Sequence, residues 1–77
     1  MNISEAIFRE AFSKPRDPRS NEYKEGVLNA LRFKLDMTDS IPHPYKPGTA
    51  QADAYYSGCN EGHHLAREYI EQIIKNH

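Results

Sequence analysis

Cys59 and His63 stand four residues apart, the spacing that puts two side chains on one face of a helix. A thiol and an imidazole so placed are suitable zinc ligands, and His43, in a proline-rich stretch, is a third donor of the right kind. The same Cys–His pair could serve as a nucleophile and its base. Glu61 and His64 form Glu-x-x-His, half of the motif that carboxylate-bridged di-metal bundles use twice. Each of these readings lacks its complement. There is no second metal-spaced Cys or His element, no second Glu-x-x-His, and no glycine-rich phosphate loop or dinucleotide fingerprint. The expectation is a protein that is not an enzyme and holds no cofactor or metal, with Cys59 and His63 as core residues. A metal site at Cys59 and His63 stands as an alternative.

These residues sit in a chain of 77, which leaves room for one domain. A domain of this size buries only about 60% of the surface its unfolded chain exposes. Disulfides, metal or a second subunit usually compensate, and the lone Cys59 rules out an intrachain disulfide. The segment from Met1 to Phe12 carries Glu5, Arg9 and Glu10 and no long apolar run. The expectation from that segment is a cytoplasmic protein with neither a signal peptide nor a membrane span.

Net charge is −1, unevenly spread. Residues 14–34 hold six basic side chains against three acidic, and residues 35–77 hold three against six. The basic set Lys14, Arg16, Arg19, Arg32 and Lys34 lies near tyrosines, an arrangement that can hold single-stranded nucleic acid by charge and stacking. The overall balance is far from the strongly basic footprint of nucleic-acid binders. A protein partner is therefore expected before RNA, and Arg16, Arg19, Arg32, Lys34 and Tyr45 are the expected partner-binding residues.

The positioning elements are helical throughout. Asn2 and Glu5 have capping-box spacing, and Ile3, Ile7 and Ala11, with Phe8 and Phe12 beside them, make an amphipathic face. That predicts a helix over 3–13, ended by Pro15. Ser20 or Asn21 caps a second helix to about Leu35, with Tyr23, Val27, Ala30, Leu31 and Leu35 on its apolar face. Residues 36–48 form a loop in which Pro42, Pro44 and Pro47 favour extended geometry, anchored by Ile41 and Tyr45. From Thr49 the pattern is helical to the C-terminus. Ala52, Tyr56, Cys59, His63, Ala66, Ile70 and Ile73 alternate spacings of four and three, like the seam of a coiled coil. Gly58 and Gly62 leave open whether this is one helix or two broken near Asn60. The fold class is all-α: a short N-terminal helix, a central helix, a proline-rich loop and a long C-terminal helix. The end of the seam, Ile70, Ile73 and Ile74, is expected to be covered by a second subunit in a homodimer.

Two segments echo each other. Tyr23-x-x-Gly26-x-x-x-Ala30 and Tyr55-x-x-Gly58-x-x-x-Gly62 each place a tyrosine one turn before a smooth notch. The expectation is that these six residues are helix-packing contacts, with Gly26 and Ala30 facing Gly58 and Gly62. The other reading is a groove for a partner's backbone.

Tyr23-x-x-Gly26, then Pro44-Tyr45, then Tyr55-x-x-Gly58 and Glu61 resembles the ribosome modulation factor family, including its short plasmid and prophage relatives linked to ciprofloxacin resistance. The likeness covers residues 23–62. His43 stands where the family's loop has cysteine, and the first helix is additional. The resemblance implies a two-helix core with a proline loop. It also implies either a ribosome- or RNA-binding modulator or a small accessory protein of phages and mobile elements that inhibits a host protein. Family members that bind ribosomal RNA are strongly basic and this chain is not, so a regulator directed at protein is the expected function.

Overall fold

A computed structural model describes residues 2–16 and 18–76; Met1, Asp17 and His77 lie outside it. Three helices follow in order, α1 (Ile3–Ser13), α2 (Asn21–Leu35) and α3 (Ala50–Lys75). Each starts at a side-chain cap. The Glu5 amide donates to Asn2, the Tyr23 amide to Ser20, and the Ala52 amide to Thr49. Each cap satisfies one of the amides that a helix N-terminus leaves without an intrahelical partner. Gly48, at φ +84°, makes the turn before Thr49. Met37 follows the α2 cap Asp36 in the left-handed region, at φ 59°.

α3 is one unbroken helix, so Gly58 and Gly62 do not divide it. At 1.5 Å per residue it spans about 39 Å against about 22 Å for α2. The two pack along their shared length, and α1 packs on α2. One apolar cluster joins Tyr23, Val27, Leu31 and Ala66, with Ile7, Phe8 and Phe12 of α1 against it. A second joins Ala30, Tyr55 and Cys59, and there Ile41 and Tyr45 anchor the proline-rich loop.

Two expected faces are rotated. Ile3 is 45% exposed, while Ser4 beside it is fully buried. The Ser4 hydroxyl lies 2.5 Å from Asp36 Oδ2 and 2.9 Å from Asn2 Oδ1. This polar tie to the end of α2 turns α1 so that Ser4, Ile7 and Phe8 face inward. On α3, Tyr55 rather than Tyr56 is inside, at 1% against 40% exposure. The buried line is Ala52, Tyr55, Cys59, Gly62 and Ala66, with Gly58 beside it. The glycines decide this phase. α2 can approach closely only where α3 lacks side chains, and that approach carries Tyr55 inward and leaves Tyr56 on the rim, 5.8 Å from the His43 ring.

Among the described residues no helix is long and apolar enough to cross a membrane.

Candidate functional site: an interlocked helix pair and a cationic groove

The two Tyr-x-x-Gly segments meet reciprocally. A Cβ on Gly26 would overlap the carbonyl oxygen of Tyr55 and come within 2.9 Å of the Cys59 amide nitrogen. A Cβ on Gly58 would overlap the carbonyl oxygen of Tyr23 and come within 2.8 Å of its carbonyl carbon. One turn on, a Cβ on Gly62 would meet Val27 O at 2.5 Å and Ala30 Cβ at 2.7 Å. The correspondence extends to the tyrosine hydroxyls. Tyr23 OH donates to Glu61, three residues after Gly58, and Tyr55 OH accepts from Asn29 Nδ2, three residues after Gly26. Tyr55 OH donates in turn to Pro42 O, which fastens the loop. Residues 23–30 and 55–62 thus pack about an approximate two-fold axis, with side-chain-free backbone at the crossing.

Glu61 is the hub at one end of this pair. Arg16 donates to both its oxygens, at 2.9 and 3.0 Å, and its guanidinium stacks on Phe12 with 4.4 Å to the ring centroid. The α1–α2 linker is thereby tied to α3. Arg16 holds the Glu61 carboxyl below its ordinary range, against the opposing effect of partial burial, and the Tyr23 hydroxyl adds to the lowering. Arg19 stacks on Tyr23, 4.6 Å from the ring centroid.

The expected partner-binding residues are dispersed. Arg16 is engaged with Glu61, and Arg19 shares that end of the molecule. Arg32 pairs with Glu5 of α1 at 3.6 Å. Tyr45 lies against Tyr55, with ring centroids 5.5 Å apart, and its hydroxyl is 3.5 Å from Glu25. Lys34 stands elsewhere, on a groove between the end of α2 and the second half of α3. Ile70, Ile73 and Ile74, in the second half of α3, are 42%, 41% and 69% exposed.

The chemistry-capable residues are distributed in the same way. Cys59 is buried, and burial pushes its thiol above the ordinary range, away from the thiolate that nucleophilic chemistry needs. Among the described residues no three His, Cys, Asp or Glu side chains converge as metal ligands. Glu61 is committed to Arg16 and Tyr23, and His64 to Glu68 at 2.8 Å. His63, expected in the core, is only half-buried, and it lines the groove of 610 Å³ that also contains Lys34, Arg67 and Ile70. Its Nδ1 is buried with no hydrogen-bond partner among the described residues. Burial lowers its pKa first, then the charges of Lys34 and Arg67. This groove escaped the sequence reading because its cations come from two helices. The one available signal was the i, i+4 spacing of His63 and Arg67.

No protein-family model, curated protein or solved structure matches this chain.

Proposed function

We propose that this protein is a non-enzymatic regulator that acts by binding another protein through the second half of α3. The observation that carries the reading is the exposed apolar stripe of α3. In its second half the helix exposes three isoleucines at i, i+3 and i+4 spacing, next to a groove lined by two cations. Exposed apolar stripes rimmed by charge are typical of protein-docking faces. The chemistry-capable side chains support the same reading, because Cys59 is enclosed and Glu61 is engaged in holding the helices together. Cytoplasmic action, as a host-directed accessory protein of a mobile element, belongs to this proposal.

RNA or ribosome binding, which the family resemblance implies, is the competing reading. It is weakened by the use of Arg16 and Arg32 in internal ion pairs. The test is affinity capture from a bacterial lysate, with and without nuclease, using the wild type and Ile73→Glu/Ile74→Glu. Protein capture that withstands nuclease and is lost in the double variant supports the proposal. Capture of ribosomal RNA that nuclease abolishes, and that the double variant retains, replaces it with the RNA reading.

A further inference from the structure

The groove between α2 and α3 combines three features that no packing need explains. Lys34 and Arg67 approach it from different helices, and among the described residues neither is in an ion pair. Two cations lining one cleft repel, and an anion bound between them turns that repulsion into attraction. The imidazole of His63 lies with them, without a partner for Nδ1. The wall continues over Ala66 to Ile70, which is 42% exposed. A cationic end and an apolar end within one 610 Å³ groove define a ligand with a carboxylate next to an apolar group.

We infer that this groove is the docking cleft for a segment of the protein partner in which an acidic residue stands beside an apolar one, the carboxylate between Lys34 and Arg67 and the apolar side chain on Ile70. This rests on the protein-binding reading and names the chemistry of its partner. Glu71 decides between protein and nucleic acid. It lines the same groove, one turn of α3 before Lys75. A single carboxylate fits between the two cations, whereas a continuous phosphate backbone would run on into like charge. His63 responds to occupancy. The titratable and charged groups lining the groove with it are Lys34 from α2 and His64, Arg67 and Glu71 from α3, and none comes from α1. Burial lowers the pKa of His63 most, and Lys34 and Arg67 add to it; a bound carboxylate offsets those two charges, so that pKa rises on binding and binding tightens as His63 takes up its proton.

The probe is hexanoate, which carries both groups, titrated into the isolated full-length protein with acetate, inorganic phosphate and chloride at matched ionic strength. Histidine-ring resonances are followed by NMR. Saturable hexanoate binding is expected to shift the His63 ring, raise its pKa and weaken about tenfold or more in Arg67→Ala and Lys34→Ala. Ile70→Ala is expected to weaken hexanoate and leave acetate unchanged. These side chains lie on the surface, so the variants keep the fold, which circular dichroism checks. Hexanoate shifts no larger than those of chloride would overturn the site, and phosphate binding more tightly than hexanoate would reassign it to nucleic acid. In the lysate capture, an Arg67→Glu variant that still retains the partner sinks this cleft while leaving the protein-binding reading intact. Absence of any protein capture by the wild type sinks that reading itself, whatever hexanoate does.

Discussion

The carbonyl oxygen of Tyr23 occupies the space that a Cβ on Gly58 would need, and the Tyr55 carbonyl does the same to Gly26. The obstacle in each case is backbone, which cannot swing aside like a side chain. Gly58→Ala and Gly26→Ala should each force the helix axes apart at a cost of about 3 kcal/mol or more, the upper end of overpacking. Gly48 is the control. Nothing lies within 4 Å of a Cβ there, so Gly48→Ala should cost only the left-handed backbone penalty of about 1–2 kcal/mol. Thermal or urea melts rank the three. Equal losses at all three positions would mean that the close crossing is unimportant.

Met37 offers the opposite experiment. It holds φ 59° just past the end of α2, where helices commonly place glycine, and its side chain is 84% exposed. Replacing it removes a backbone penalty and almost no burial. Met37→Gly should raise stability by about 1 kcal/mol, less whatever the added freedom of the unfolded chain subtracts. A lower melting temperature would show that this freedom dominates.

Acid should weaken the fold in two stages. His63 has a lowered pKa in the folded state, so the unfolded chain takes up its proton first, as pH falls through about 6.5. Stability from its neutral form is present above that pH and lost as pH falls through the folded-state value. Glu61 is also lowered, here because Arg16 and Tyr23 hold the carboxylate. Its contribution is present above about pH 4.3 and lost as pH falls through the folded value. Urea midpoints across pH should show that His63→Gln removes the upper stage and Glu61→Gln the lower. Glu61→Gln should also cost about 1–3 kcal/mol at neutral pH, because it weakens charge-assisted hydrogen bonds from a partly buried pair. A pH profile unchanged by Glu61→Gln would place the acid sensitivity elsewhere.

The helices and their ends were legible because their signals are local: Asn2, Ser20 and Thr49 as caps, Pro15 as a stop, Pro47-Gly48 as a turn. The small-residue notches were legible too, since spacing alone puts Gly26 with Ala30 and Gly58 with Gly62. What periodicity cannot do is settle a stripe more finely than one residue, which is about 100° of helix rotation. Tyr55 and Tyr56 are chemically identical candidates, and only the glycine crossing chooses between them. Ser4 displaces Ile3 because of Asp36, 32 residues away, and Arg16 is drawn into an ion pair by Glu61, 45 residues on. The groove was hidden for the same reason. Lys34 and Arg67 become neighbours only when α2 and α3 are laid side by side.

Self-association can be bounded from the same exposures. Fully burying an isoleucine contributes about 1.5–3 kcal/mol. Ile70, Ile73 and Ile74 are 42%, 41% and 69% exposed, so part of that gain is already realised within the monomer. What remains for a dimer is on the order of 2–5 kcal/mol, set against an association cost of at least about 4 kcal/mol. An antiparallel pairing of α3 that opposes Ile70 to Ile73 also brings Glu68 near Lys75 of the second copy, and such an exposed pair adds at most about 1 kcal/mol. The stripe alone therefore leaves at most about 2 kcal/mol for pairing, a dissociation constant on the order of 30 mM. Sedimentation equilibrium should show a monomer through about 100 µM, where half-dimerisation needs about 5–6 kcal/mol of net binding free energy. Ile73→Glu with Ile74→Glu should hold the chain monomeric and folded, because both side chains already meet solvent. A dimer persisting at low micromolar concentration would require a larger interface than the three isoleucines provide. A monomer up to about 1 mM would leave the stripe wholly to the protein partner.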